Sequence, residues 1–270
     1  MKKIFTAIFT FCTLLLLSGC IQIETKVNLN KDGSGTVEET VLMSNEMVNM
    51  LNEFISGFSS DTTQPEEFKL YNEEDLKKRE SSLGEGVTLL SSSEIKTDTK
   101  QGYKVEYSFT DINKLRIDQN PDSRIPDDGS EVEPADTSYV TFNFTRGDVS
   151  QLTIDLPDPV KYENEEEEFE TEEDTTDTGD LSELKFLIQD LSFKLVVHVN
   201  GELTESNADY VEDSDITLFN LNFNQLLDNP EKLKELNKMK SNDLKELKEI
   251  MKDIPGIKIE TNDPVVIKFR

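Results

Sequence analysis

The chain has 270 residues, with 56 acidic against 28 basic side chains and a formal net charge of −28. A surface of this charge repels nucleic acid and anionic lipid head groups, so we expect no nucleic-acid partner. The two cysteines, Cys12 and Cys20, both lie close to the N-terminus. The rest of the chain therefore has no disulfide, no thiolate metal site and no cysteine nucleophile.

The N-terminal segment has the order of an export signal. Two lysines precede an apolar run over residues 4–17, and the tripeptide Ser18-Gly19-Cys20 follows it. The run spans about 14 residues, whereas a helix needs roughly 20 to cross the hydrocarbon layer of a membrane. We therefore predict a cleaved signal peptide over residues 1–19 and not a permanent transmembrane helix.

The end of this segment, Leu17-Ser18-Gly19-Cys20, resembles the lipobox of bacterial lipoproteins. The resemblance implies cleavage between Gly19 and Cys20 and attachment of lipid to the Cys20 thiol. Several acyl chains on one residue hold a protein firmly, because each buried methylene contributes about 0.8 kcal/mol. The expected location is the cell envelope. Ile21 at the second mature position resembles the pattern for passage to the outer membrane, facing the periplasm, if the source is diderm.

The segment from Asn28 to Glu39, NLNKDGSGTVEE, fits a calcium loop in part. The pattern D-x-[DN]-x-[DN]-G-x5-E places Asn28, Asn30 and Asp32 at ligand positions and Glu39 at the closing position. A loop of this type needs an entering helix. The residues from Ile21 onwards instead alternate between apolar and polar, as a strand does.

A β-hairpin explains the same residues with one consistent buried face. A three-residue loop over residues 31–33, with Gly33 in a left-handed G1 bulge, sets apolar residues opposite one another. A two-residue Asp-Gly loop would set apolar against polar residues throughout. We therefore predict the three-residue hairpin and keep the calcium loop as the alternative. The predicted pairs are Leu29 with Gly35, Val27 with Val37 and Ile23 with Val41.

Further along the chain, helical spacing and capping residues predict helices, and alternation predicts strands. Residues 100–102 are expected to form a hairpin turn and residues 116–137 a long surface loop. The expected helices begin after Ser44, after Asn72, after Asp180, at Pro230 and near Ser241. The expected strands lie near residues 87–97, 103–109, 140–144, 152–156, 193–199, 216–223 and 263–270.

These elements predict one domain of the α+β class, an antiparallel β-sheet with packed α-helices, which follows the N-terminal lipoprotein signal peptide. Residues 20–156 form its first part, residues 157–180 an acidic disordered linker or insertion, and residues 181–270 a second part that completes the sheet. The acidic stretch repels itself and has too little apolar surface to become ordered.

No residue pattern singles out a catalytic centre. His198 is the only histidine and falls on the outward face of its strand, beside Lys194. A nucleophilic triad needs a base that a third group positions, and the chain has neither a phosphate loop nor a dinucleotide-binding glycine pattern. We therefore expect no enzyme activity and no cofactor.

Three segments resemble the LppM-like domain family of bacterial membrane lipoproteins. They are SGCIQIETKVNLNKDGSGTVEETVLM, GYKVEYSFTDINKL and FKLVVHVNGELTESNADYVEDSDITLFNLNFNQLL. The resemblance implies an α+β periplasmic domain with lipid as its candidate ligand and without a catalytic motif.

The leading functional hypothesis is therefore a lipid-anchored binding or structural module of the cell envelope. It would hold lipid or another apolar ligand between sheet and helices, and its partners would be the membrane, through the N-terminal lipid, and a lipid or protein of the envelope. The alternative is a calcium-dependent interaction protein that uses the acidic stretches. A closed apolar cavity, as opposed to a solid core, would favour the first hypothesis. Clustered carboxylate oxygens with no nearby cation would favour the second.

Overall fold

The computed structural model describes residues 21–58, 68–124, 139–157, 190–236 and 244–270. The predicted signal peptide, Gly19 and Cys20 lie outside the described residues. So do the acidic segment from residue 158 onwards and the helix predicted after Asp180.

The described residues contain thirteen strands in two sheets. In the larger sheet the order is β10-β11-β8-β1-β2-β4-β3, and β12 also pairs with β11. Strands β1 and β8 run parallel, and the other neighbours are antiparallel. The smaller sheet is antiparallel, in the order β5-β6-β7-β13-β9. The strands are β1 (Ile21–Leu29), β2 (Gly35–Ser44), β3 (Val87–Lys96), β4 (Lys100–Phe109), β5 (Arg116–Asp118), β6 (Tyr139–Thr145), β7 (Ser150–Asp155), β8 (Ser192–Val199), β9 (Leu203–Ser206), β10 (Val211–Glu212), β11 (Asp215–Asn222), β12 (Lys258–Ile259) and β13 (Val265–Phe269).

Five α-helices lie around these sheets in the described ranges. The caps predicted at Ser44 and Asn72 are confirmed, since the Met47 N–H donates to Ser44 Oγ at 3.2 Å and Asn72 accepts from the Glu74 N–H at 3.0 Å. In the described part of the chain, no helix combines the length and the apolar character that crossing a membrane requires. The helices are α1 (Asn45–Phe58), α2 (Glu73–Leu83), α3 (Phe223–Leu227), α4 (Pro230–Leu236) and α5 (Leu244–Met251).

The predicted register of the first hairpin is confirmed. Residues 31–33 form the loop, closed by a bond from the Asn30 N–H to the Ser34 carbonyl at 2.8 Å. Gly33 has the left-handed backbone expected of a G1 bulge, with φ at 92°. The observed pairs include Leu29 with Gly35, Val27 with Val37 and Ile23 with Val41.

The predicted fold class is wrong. The structure is mostly β-sheet, with two sheets of which the larger is mixed, and not one antiparallel sheet with packed α-helices. The helices are short and most of the core lies between strands, so the α+β class does not describe the chain. Alternation along a strand shows which face is buried, but it does not show which strands share a sheet.

The predicted turn at residues 100–102 is wrong, and so is the start of the predicted surface loop, whose residues 125–137 lie outside the described residues. The hairpin turn lies at residues 97–99, where Thr97 Oγ1 accepts from the Lys100 N–H at 2.9 Å, and Gly102 lies inside β4. Glycine is needed there because a Cβ atom would lie 1.9 Å from the Val41 carbonyl oxygen. The predicted surface loop at 116–137 begins with strand β5, and Arg124 is buried.

The apolar residues form two clusters. The larger cluster takes side chains from the inner faces of both sheets and from α1, including Val27, Val37 and Ile154. The smaller cluster lies under α3 and α5, next to β12. Its buried members are Leu226, Met251, Ile254, Ile257 and Ile259.

Candidate functional site

A partly enclosed cavity of about 280 Å³ lies on the inner face of the larger sheet. One wall is formed by residues of β1, β8, β11 and β12. The opposite wall is formed by β5, the residues after β7 and helix α5. The apolar lining includes Ile23, Phe193, Leu195, Leu221, Leu247 and Ile259.

The strands turn apolar side chains into this space because of their alternation and register. Ile23 pairs with Phe193, and Thr25 pairs with Leu195, so that β1 and β8 present these positions on the same face. In β11 the register shifts between Thr217 and Phe219. A bulge of this kind changes the direction of side chains.

The cavity lies where the two apolar clusters meet. Ile23 and Leu195 belong to the larger cluster, and Leu221, Leu247 and Ile259 belong to the smaller one. The lining of the cavity therefore combines side chains of both clusters.

A buried charge cluster adjoins the cavity. The Glu39 side chain is 3% exposed and receives the Arg79 Nη1 donor at 2.6 Å and the Arg124 Nε donor at 3.2 Å. Thr25, which pairs with Glu39 across β1 and β2, donates its hydroxyl to the same carboxylate at 3.2 Å. Tyr103 accepts from Arg79 at 3.1 Å and donates to the Arg124 carbonyl at 3.3 Å.

Electrostatics keeps the Glu39 carboxylate charged. Burial acts to raise the pKa of Glu39, but the two guanidinium groups outweigh it and lower that pKa from 4.5 to about 2. Burial acts to lower the pKa of Arg79, and the Glu39 carboxylate outweighs it, so the pKa is raised. Burial and the same carboxylate raise the pKa of Tyr103.

This lowered pKa predicts acid sensitivity. A carboxyl group whose pKa is lower in the folded state stabilises the fold above its unfolded pKa, and that stabilisation disappears as the pH falls. From pH 5 towards pH 2, Glu39 should therefore lose about 3 kcal/mol of stabilisation. Urea unfolding at several pH values should show a smaller acid-induced loss in Glu39→Gln than in the unchanged protein. Parallel pH curves for the two proteins would contradict the assignment.

Arg124 joins the two walls of the cavity. Its Nη1 donates to the Asn120 carbonyl at 2.7 Å and its Nη2 to the Asp118 carbonyl, while its Nε reaches Glu39 on β2. The guanidinium thereby fastens β5 and the turn after it to the larger sheet. Arg124 and Thr25 both line the cavity, but their polar atoms bond to other protein groups.

The other buried charged residue of the lining is equally committed to the protein. Glu260 is 2% exposed and accepts from the backbone N–H groups of Thr261 and Asn262, each at 2.8 Å, and of Asp209 at 2.6 Å. Because these polar groups already bond to the protein, a ligand in the cavity would mainly contact apolar side chains.

Three residues of the alternative calcium loop serve the hairpin. Asn28 donates to the Glu38 side chain at 3.0 Å, Asp32 accepts from the Ser34 N–H at 3.0 Å, and Asn30 closes the loop through its backbone. The hydrogen bonds from Ser34 lower the pKa of Asp32. These contacts explain the turn residues without a metal.

The fourth residue of that loop, Glu39, lies on the inner face of β2 and is held by arginines. The structure therefore does not bring Glu39 together with Asn28, Asn30 and Asp32. Within the described ranges, no group of three or more His, Cys, Asp or Glu side chains is placed to hold a metal ion.

His198 lies on the outer face of β8, as predicted, with a side chain that is 30% exposed. Its Nδ1 is 2.6 Å from Asp215 Oδ1, and Lys26 also bonds to Asp215 at 3.3 Å. Burial acts to raise the pKa of Asp215, but the hydrogen bonds from His198 and Lys26 outweigh it and lower that pKa.

The arginines of the buried cluster were not found by sequence reasoning. One signal was available, because the predicted register places Glu39 on the same face as Val37 and Val41 and opposite Thr25. A carboxylate on that face requires a cationic partner. Nothing in the sequence near Arg124 identified it as that partner, since it follows Glu39 by 85 residues in a segment rich in proline and aspartate.

Comparisons with known proteins give a distant fold likeness. The structure is similar to the folded domain of LppM from Mycobacterium tuberculosis, solved by NMR, with 11% sequence identity and a TM-score of 0.35. The match covers 94% of this chain and 91% of that chain. No family model matches the sequence, and a search of curated proteins finds no match.

Proposed function

We propose that the protein is a lipid-anchored lipoprotein of the cell envelope whose domain binds an apolar ligand, an acyl chain, in the cavity between its two walls. The observation that carries this proposal is an apolar space next to charged groups that are already bonded to the protein. An apolar ligand fits such walls because it needs no hydrogen-bond partners from the protein.

The size of the cavity favours a single chain. An apolar cavity of about 150 Å³ holds one benzene molecule, so a space nearly twice as large accommodates roughly ten carbon atoms. Each methylene group transferred from water contributes about 0.8 kcal/mol, which offsets part of the entropic cost of binding. A longer chain would extend through the open side.

The proposed location rests on the N-terminal sequence. Residues 4–17 have the apolar character of an export signal, and Leu17-Ser18-Gly19-Cys20 resembles the lipobox of bacterial lipoproteins. With Cys20 lipidated, the domain would be held at the membrane although the chain has a net charge of −28.

We also propose that the domain binds its ligand without chemical conversion. In the described residues, the groups with the largest pKa changes belong to the buried cluster of Glu39, Arg79 and Tyr103. These groups bond to each other, and this arrangement supports a structural role for them.

Native mass spectrometry of the full-length protein, purified from its own membranes, would test the ligand. We expect a bound lipid that is lost under denaturing conditions, whereas lipid on Cys20 would remain attached. In Leu195→Trp the enlarged side chain should fill the cavity and reduce the lipid-bound fraction by at least tenfold. Leu90→Trp is the matched control, because Leu90 is 54% exposed on β3 and does not line the cavity.

A second variant keeps the test decisive if Leu195→Trp does not fold. Leu221→Trp changes a half-buried residue of the same cavity and should also remove the ligand while thermal unfolding stays cooperative. A folded Leu195→Trp or Leu221→Trp protein that keeps its lipid would contradict the proposal. So would an unchanged protein that carries no dissociable lipid.

A further inference from the structure

We propose that the cavity takes its acyl chain directly from the membrane leaflet that holds the N-terminal lipid, through the end of the larger sheet at which β1 begins. This inference rests on the proposed function, and it adds the source of the ligand and the face of the domain that meets the membrane.

The cavity lies close to the start of β1. Ile23 lines the cavity and is the third residue of the strand, which begins at Ile21. Cys20 is bonded to Ile21, and three residues of chain span at most about 11 Å. A lipid on Cys20 would therefore hold the lining of the cavity close to the membrane surface.

The neighbouring strands bring their cavity residues to the same end of the sheet. Strand β8 runs parallel to β1, and its second residue, Phe193, lines the cavity. Strand β11 runs in the opposite direction, and Leu221, next to its last residue, lines the cavity as well. The far end of the sheet, with the loop at 31–33, is about 20 Å from Ile23 at the usual rise of a strand.

The charge of the chain also favours attachment to the membrane through lipid. A chain with a net charge of −28 is not attracted to anionic head groups, so charge alone would not bring the cavity to a membrane. A covalent lipid would do so, because it raises the effective concentration of the cavity at the leaflet. A chain that passes directly from the leaflet into the cavity also avoids exposing its methylene groups to water.

Photochemical cross-linking would test the source of the ligand. The mature lipidated protein would be placed in phosphatidylcholine vesicles that contain a phospholipid with a diazirine in one acyl chain. We expect cross-links in residues 192–195 and 218–221, at least tenfold more than in mature Cys20→Ser protein, residues 20–270 without the signal segment, added to the same vesicles. Equal labelling of the two proteins would overturn the inference.

A soluble probe distinguishes a cavity that is not supplied from the leaflet from a cavity that binds no acyl chain. A short-chain fatty acid with a diazirine, added in buffer without vesicles, should label the same segments in the Cys20→Ser protein. Labelling by this probe, together with equal labelling from vesicles, would leave the cavity in place and reject delivery from the leaflet. Absence of labelling by this probe would reject the proposed function, and with it the inference.

Fluorescence quenching would test the orientation independently. The mature chain would have no cysteine other than Cys20, so an environment-sensitive dye can be attached at Asp98→Cys or at Lys31→Cys. Asp98 lies in the turn at the end of the sheet where β1 begins, and Lys31 lies in the turn at the opposite end. Nitroxide-labelled lipid should quench the dye at position 98 several-fold more than at position 31. Equal or reversed quenching would contradict the orientation.

Discussion

Replacement of Glu39 by glutamine is expected to lower the free energy of unfolding by about 3–5 kcal/mol at neutral pH. Glutamine keeps the shape of the side chain but removes the carboxylate that bonds to both Arg79 and Arg124 among the described residues. The Arg124 side chain is 4% exposed, so its positive charge would remain buried without a counter-charge. Loss of one partner from a buried ion pair leaves this uncompensated charge, which costs more than the pair itself contributes.

Urea denaturation followed by circular dichroism would measure the loss, and the neighbouring residue supplies the control. Glu38 lies on the outer face of the same strand and pairs with Lys104 at 3.3 Å, with both side chains exposed to solvent. Glu38→Gln should cost less than about 1 kcal/mol, because solvent screens such pairs. Similar losses of unfolding free energy in the two variants would show that the buried cluster stabilises the fold no more than an exposed ion pair does.

The same substitution should also loosen one wall of the cavity. Arg124 holds the carbonyl groups of Asp118 and Asn120 while it bonds to Glu39. Without the carboxylate, β5 and its following turn lose their fastening to β2. Hydrogen exchange in Glu39→Gln should therefore increase at residues 116–124 more than at β13, which lies inside the smaller sheet.

Replacement of Gly102 by alanine is also expected to destabilise the fold strongly. A Cβ atom at this position would lie 1.9 Å from the Val41 carbonyl oxygen, and backbone atoms cannot move aside as the end of a flexible side chain can. The two strands would have to separate at the point where Gly102 pairs with Leu42. Tyr103 follows directly, so its bonds to the charge cluster would be disturbed as well. We expect a loss of about 3 kcal/mol or more.

Thermal unfolding would measure this effect, and Gly256→Ala would separate steric overlap from backbone strain. Gly256 has φ at 81°, and a Cβ atom there would meet nothing within 4 Å. Alanine at this position should therefore cost only the left-handed conformation, about 1–2 kcal/mol. For a domain of this size, about 1 kcal/mol shifts the melting temperature by roughly 2–4 °C. A smaller shift in Gly102→Ala than in Gly256→Ala would contradict the close approach of the two strands.

Several local features of the fold follow from the sequence alone. The register of the first hairpin was predictable because a strand has a period of two, so that only one loop length places Val27 against Val37 and Ile23 against Val41. The starts of α1 and α2 were predictable because Ser44 and Asn72 supply oxygen atoms to otherwise unbonded N–H groups. The buried face of β4 was predicted from the alternation of Tyr103, Val105, Tyr107 and Phe109, all of which are buried.

The turn before β4 shows how a local rule can mislead. Glycine favours turns, and the sequence therefore predicted one at residues 100–102. The structure places the turn at residues 97–99, where the Thr97 side chain bonds to the backbone, and uses Gly102 to bring two strands together. The requirement for glycine arises from a strand about 60 residues earlier in the chain, so no local pattern could reveal it.

The sequence by itself determined the faces of the strands, the register of the first hairpin and the caps of two helices, because each depends on residues close together in the chain. Only the tertiary structure decided that β8 lies parallel to β1, that the strands divide into two sheets, and that Arg124 reaches Glu39 from 85 residues away. Alternation shows that a face is buried and leaves open what covers it. The cavity depends on which segments cover that face, since its walls come from distant segments that meet only after the sheets have packed.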